Sequence, residues 1–332
     1  MRKNAKLKSF GSFSGGLLII AFFLCGNCSL VLSQTSGKPL ALPVKYDEHR
    51  FYVQPVTADG TTLNLFTDTG GGLFLFSDVA ERLQLPVIKG ETKDSPDMVA
   101  LPAFLPDASI PAPLDNGGLV YVTSAAERNH PVTQDWSGML GQKWFAGRVW
   151  TFDYPNRKLL LRADGDAAPM QNNEHLIALG FQKNRAGGRS ANFPRIQVAI
   201  DGEQIDLLFD TGASTALTDA ALAALDDKRA AVRATSFITT SVFEKWRKKH
   251  PDWRVIEAAE KGSGQAMIEV PEISVAGCKV GPVWFTRRPD KNFHEYMSQF
   301  MDKRIDGALG GNALRYFRIT IDYPRAVALF EK

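Results

Sequence analysis

At 332 residues the chain can form one large domain or two medium ones, and its 28 glycines and 18 prolines, set between short apolar runs, argue against a long-helix architecture and for a β-rich one. Lys and Arg number 39 against 36 Asp and Glu, but four of the basic residues stand in the first 33 positions, leaving 35 against 36. That near-balance gives no basis for nucleic-acid binding.

The N-terminus reads as a secretory signal over residues 1–33. Arg2, Lys3, Lys6 and Lys8 form a basic stretch without acids. Leu17 to Leu24 is a short apolar core, and Val31 and Ser33 are small enough to precede a cleavage site before Gln34. The expectation is a secreted or periplasmic protein without stable membrane insertion once the signal is cleaved, with an uncleaved N-terminal anchor as the alternative. Cys25 and Cys28 fall inside this segment, so Cys278 alone remains and no intramolecular disulfide is expected in the mature chain.

The rest of the chain repeats itself. At an offset of 142, Asp68-Thr69-Gly70 falls on Asp210-Thr211-Gly212, and Ser77-Asp78 falls on Asp219-Ala220 at the start of a short helix in each copy. At an offset of 169, Met98–Pro102 matches Met267–Pro271, Gly138-Met139-Leu140-Gly141 matches Gly307-Ala308-Leu309-Gly310, and Asp153-Tyr154-Pro155 matches Asp322-Tyr323-Pro324. The difference of 27 implies an insertion in the second half. Phe237, Val242, Phe243 and Trp246 suggest an added amphipathic helix around Ser236–Arg254, with Lys245, Arg247, Lys248 and Lys249 on its solvated face. The predicted organisation is an N-terminal lobe over 34–163, a polar linker over 164–173 and a C-terminal lobe over 174–332.

In each copy an apolar strand, Leu65-Phe66-Thr67 or Leu207-Leu208-Phe209, runs into the Asp-Thr-Gly triplet. A carboxylate at the end of a buried strand is costly unless something satisfies or uses it. The glycine permits a sharp turn that brings backbone N–H groups to that carboxylate, and the threonine can hydrogen-bond across the junction of the halves. A pseudo-two-fold axis would bring the two turns face to face. The five histidines have no ligand spacing, Gly-x-Ser-x-Gly is absent, and no metal or other cofactor is expected.

These motifs resemble the aspartic peptidases over nearly all of residues 39–332. Phe209-Asp210-Thr211-Gly212-Ala213 is similar to the retropepsin form, Gly307–Gly310 to the element threading behind the active-site loop, and the single-chain duplication to the two-lobed pepsin arrangement. The resemblance implies an all-β, bilobal fold with short helices and a cleft between the lobes, covered by a flap hairpin. Glu260–Gln265, with Gly262, Ser263 and Gly264 at its tip, is the candidate flap; its first-half counterpart near Glu91–Pro96 lacks a glycine pair and a tyrosine. The implied activity is endopeptidase cleavage of a peptide or protein by a monomer, using Asp68 and Asp210 held about 3 Å apart and sharing one proton. Thr69, Gly70, Thr211 and Gly212 would support the two loops. The alternatives are a catalytically silent bilobal peptide-binding protein and a retropepsin-like homodimer using only Asp210. Gly71 and Ala213 depart from the Ser or Thr usual in the pepsin branch, and Gly70-Gly71-Gly72 looks loose for a rigid site. Without those hydroxyls, and unless Ser214 or Thr215 replaces one, the working range should be mildly acidic, about pH 5–6.5.

Overall fold

The computed structural model describes residues 38–92, 95–162 and 173–332. The predicted signal, with Cys25 and Cys28, and all of the predicted linker but Asn173 lie outside the described residues. The first half runs through β1 (Leu40–Ala41), β2 (Val44–Asp47), β3 (Arg50–Val53), β4 (Leu65–Thr67), β5 (Leu73–Phe76), α1 (Ser77–Arg82), β6 (Met98–Ala100), β7 (Leu119–Thr123), β8 (Gly138–Leu140), α2 (Gln142–Phe145), β9 (Val149–Asp153) and β10 (Lys158–Arg162). The second half begins with β11 (Leu176–Ala178), β12 (Arg195–Ile200), β13 (Glu203–Phe209), β14 (Ser214–Ala216), α3 (Asp219–Leu225), β15 (Val232–Ala234), β16 (Ser236–Thr239), α4 (Thr240–Lys249) and β17 (Val255–Ile256). It continues with β18 (Met267–Val270), β19 (Ile273–Val275), β20 (Cys278–Val280), β21 (Val283–Arg288), β22 (Gly307–Leu309), α5 (Gly311–Leu314), β23 (Arg318–Asp322) and β24 (Val327–Glu331). The fold is β-rich with short helices, as the turn-punctuated sequence predicts.

Strands of the first half make a seven-stranded sheet in the order β2-β3-β4-β8-β5-β7-β6. Strands of the second make a nine-stranded sheet, β17-β18-β21-β16-β22-β13-β12-β19-β20. Both halves contribute to a third sheet, β1-β10-β9-β23-β24-β11. At its centre β9 and β23 run antiparallel with Thr151 opposite Thr320, and their hydroxyls lie 2.8 Å apart. These residues are equivalent in the repeat, so the relation between the halves passes through this pair. The strand ends that enter the triplets are mostly apolar because they are covered on both faces: β4 is buried throughout, as are Leu207, Leu208 and Phe209 of β13. Beneath them, Phe145, Trp150, Phe152 and Tyr323 are fully buried in one aromatic core. Truncating Trp150 to alanine there would cost about 3–5 kcal/mol.

Strand pairing corrects the predicted insertion. β5 pairs antiparallel with β8 and parallel with β7. In the second half that position belongs to β16, antiparallel to β22 and parallel to β21, with Ile238 opposite Gly307 as Leu75 is opposite Gly138. Helix α4, which does bury Phe243 and Trp246, is therefore the counterpart of α1 and not an addition. The additional segment lies between Gly212 and β16 and consists of β14, α3 and β15. Placing Ser77-Asp78 on Asp219-Ala220 matched two different helices. After each Gly-x-Leu-Gly element a one-turn helix, α2 or α5, leads into β9 or β23.

Candidate active site

Asp68 and Asp210 follow directly from β4 and β13. Each loop is held from behind by the strand that enters the sheet beside it. β8 runs parallel to β4 and accepts the Asp68 N–H at Leu140 O (3.1 Å); β22 runs parallel to β13 and accepts the Asp210 N–H at Leu309 O (3.0 Å). The glycines after these carbonyls allow close threading. A Cβ on Gly141 would lie 1.9 Å from Gly72 O, and one on Gly310 would lie 1.7 Å from Thr235 O.

The two triplets bond across the junction. Thr69 Oγ1 donates to Phe209 O (2.6 Å) and accepts from Thr211 N (3.0 Å), while Thr211 Oγ1 accepts from Thr69 N (3.1 Å). Both threonines are buried. Gly70 N donates to Asp68 Oδ1 (2.8 Å) and Gly212 N to Asp210 Oδ1 (3.0 Å). Each glycine also presses on the opposite carboxyl: a Cβ on Gly212 would lie 2.2 Å from Asp68 Cγ, and one on Gly70 would lie 2.9 Å from Asp210 Cγ. The apparently loose Gly70-Gly71-Gly72 run is confined for the same reason, since a Cβ on Gly71 would sit 2.6 Å from Asp68 Oδ2 and 2.4 Å from Met139 Sδ.

The Asp68 and Asp210 carboxyls act on each other across the junction. Burial, then the neighbouring Asp68 carboxylate, holds Asp210 well above the ordinary carboxylate range. Burial also raises Asp68, against the opposing effects of Asp210 and of the Gly70 N–H. The pair therefore retains a proton where isolated carboxylates have lost theirs. Neither candidate substitute hydroxyl reaches it: Ser214 Oγ donates to Gly212 O (2.8 Å), and Thr215 Oγ1 donates to Glu260 Oε1 (3.0 Å).

The dyad opens into a cavity of about 720 Å³ whose walls include His130 and Trp136 from the first half and Glu260–Ser263 from the second. The predicted flap tip thus stands at the same cavity as the aspartates. It is a hairpin closed by Glu260 N–H to Gln265 O (3.0 Å), with Gly262 and Gly264 at φ +86° and +64°, where glycine carries no Cβ penalty. The first-half hairpin is closed by Ile88 and Met98, and its Pro96 faces a different cavity, beside Gly71 and Gly72. Nothing local to the second hairpin marks what anchors it. Buried Glu260 receives both terminal nitrogens of Arg288 (2.7 Å each), as well as Thr215 Oγ1 and Ser263 Oγ. That Arg288 stacks on Phe237, with its guanidinium carbon 4.0 Å from the ring centroid. The signal was hidden because Glu260 and Arg288 meet only through sheet pairing. Among the described residues, no group of three or more His, Cys, Asp or Glu could hold a metal ion.

No family model matches the chain, and no curated protein does. Among solved structures it is similar to the aspartic proteinase from Irpex lacteus, at 11% identity, covering 89% of this chain and 97% of that one, with a TM-score of 0.47. It is similar to the basic 7S globulin from soybean at 9% identity, over 89% and 96% of the respective chains, with a TM-score of 0.47. A retropepsin-like aspartic protease from Rickettsia conorii matches 47% of this chain and 89% of its own, at 15% identity and a TM-score of 0.28.

Proposed function

We propose that the chain is an aspartic endopeptidase that hydrolyses peptide bonds with water activated between Asp68 and Asp210. The observation that carries this reading is the facing carboxyl pair, each member fixed by a glycine N–H and open to the cavity. The ionised carboxylate takes a proton from the attacking water while the protonated one donates to the peptide carbonyl oxygen. Reversal of these roles protonates the leaving amine. Both roles belong to the pair, and neither residue holds one permanently.

Two further cavities flank the dyad loops and suggest the substrate class. One, of about 370 Å³, combines Leu208, Phe237, Phe293 and Met297 with Asp210. The other, of about 320 Å³, has Leu73, Phe74 and Phe193 beside Gly71. Apolar side chains on both sides of the scissile bond would bury surface in them. The basic-then-apolar N-terminal segment supports an exported, secreted or periplasmic enzyme; among the described residues no helix is long and apolar enough to cross a membrane.

The test is digestion of a diverse peptide library by the purified protein over a range of pH, read by mass spectrometry, with Asp68→Asn and Asp210→Asn alongside. The expected result is cleavage by the native protein and a loss of about 10²–10⁴-fold or more in each folded variant. Binding without cleavage by the native protein would return it to the silent peptide-binding class. Full activity in Asp68→Asn would favour a homodimer built on Asp210.

A further inference from the structure

A further cavity, of about 250 Å³, shares no lining residue with the one that holds the dyad. It is bordered by the additional β14-α3-β15 segment, by β18 and β21, and by residues of and next to α5. Four arginines line it, Arg229, Arg233, Arg254 and Arg315, against the two carboxylates Asp227 and Glu269. Two of these arginines have carboxylate partners, Arg233 with Asp227 and Arg229 with Glu48; the other two have neutral ones, Arg254 donating to Ala224 O beneath the Trp284 ring and Arg315 donating to the Tyr316 hydroxyl (2.8 Å). Among the described residues no carboxylate lies within ion-pair distance of Arg254 or Arg315. The buried Arg233 also keeps one terminal nitrogen without a partner, and Arg315 its Nε.

A concentration of guanidinium groups around a small space is unfavourable unless counter-charge enters it. The neighbouring His49 registers that surplus. Its Nδ1 lies 2.9 Å from the Tyr46 hydroxyl and its Nε2 3.4 Å from an Arg315 nitrogen. Burial, and then Arg229, Arg315, Arg157 and Arg233, depress it to about 3, so it stays neutral and adds no further positive charge. The polar neighbours are already engaged. Asn312 Nδ2 donates to Trp284 O, and Thr215 Oγ1 donates to Glu260. Recognition would therefore fall to the arginines, whose planar forks match tetrahedral and planar oxyanions.

We propose that this cavity is a binding site for a compact oxyanion of the phosphate class, held chiefly by Arg254 and Arg315 with Arg233 behind them. Its volume favours a small ion, lying below the ~300–1,000 Å³ of sites for larger organic ligands. The site is separate from the dyad and does not depend on the peptidase reading. Its ligand would nevertheless sit one hydrogen bond from the hairpin, since Thr215 lines the cavity and donates to Glu260.

The test is calorimetric titration of the full-length protein with inorganic phosphate, and separately with sulfate, at neutral pH and constant ionic strength set by chloride. Saturable one-to-one binding is expected in the native protein and in Asp68→Asn. Arg315→Gln and Arg254→Gln should each weaken it by roughly tenfold or more. Arg254 is exposed, so its variant tests the site without disturbing the core. Absence of saturable heat in the folded native protein, or unchanged affinity in the folded Arg254→Gln variant, would overturn the proposal.

Discussion

At the residue scale, the dyad's proton governs both chemistry and stability. Asp210 has a raised native pKa, because of burial and then the Asp68 charge, so the native state binds that proton more tightly than the unfolded chain does. The stabilising contribution is complete below the unfolded carboxylate pKa of about 4 and is lost as pH rises through the native value. Asp210→Asn should therefore raise the melting temperature relative to the native protein at neutral pH and have little effect near pH 4. An equal or larger gain at pH 4 would reverse the assigned sign. The same shift places the alkaline limb of kcat/KM, set by the second ionisation of the pair, above the ordinary carboxylate range. With Gly71 and Ala213 lacking hydroxyls and Ser214 and Thr215 bonded elsewhere, no side-chain hydroxyl opposes it. Ala213→Ser is the usable probe, because a Cβ at Gly71 would meet the Asp68 carboxylate itself. A new donor to Asp210 should move that limb to lower pH in a pH–rate profile; an unmoved limb in a folded, active Ala213→Ser variant would show that the missing hydroxyl does not set it.

At the element scale, the two Asp-Thr-Gly loops form one hydrogen-bonded unit, and Thr69 is its centre. Its hydroxyl satisfies both Phe209 O and Thr211 N in a site closed to water. Thr69→Val keeps the shape but strands two buried main-chain groups, at about 1–3 kcal/mol each. Denaturant unfolding should read a loss of about 2–6 kcal/mol; a loss below 1 kcal/mol would mean that the loops hold their geometry without the crossed bonds. The loops were legible in the sequence because the motif is local: an apolar strand, Asp-Thr-Gly, and a distant Gly-x-Leu-Gly at a matched offset. The equivalence of the helices was not. After each triplet comes a strand and a short helix, and the ungapped offset selects α3. Only the pairing of β16 with β22, across some seventy residues of sequence, reveals that α4 is the true counterpart of α1. The Glu260–Arg288 pair was hidden for the same reason: the hairpin tip announces itself through Gly262 and Gly264, whereas its anchor depends on which strand ends beside it.

At the scale of the whole molecule, the competing assemblies make opposite demands. A homodimer built on Asp210 would need a second copy of β13 and its loop at the position where this chain already holds Asp68. Here that position is filled from within. The Thr69 and Thr211 bonds link residues 142 apart in one chain, and β9 pairs with β23 along five residues with Thr151 opposite Thr320. Intramolecular closure makes the second carboxylate's effective concentration independent of how much protein is present, whereas a dimeric site is lost by mass action on dilution. The protein should therefore sediment as a monomer, and its activity per mole should stay constant as it is diluted well below micromolar concentration. The measurement is initial rate against enzyme concentration on a single cleaved peptide, with sedimentation velocity on the same samples. A specific activity that falls on dilution, together with a dimer that dissociates over the same range, would mean that the working dyad is assembled between chains and that Asp68 stands in the site without serving it.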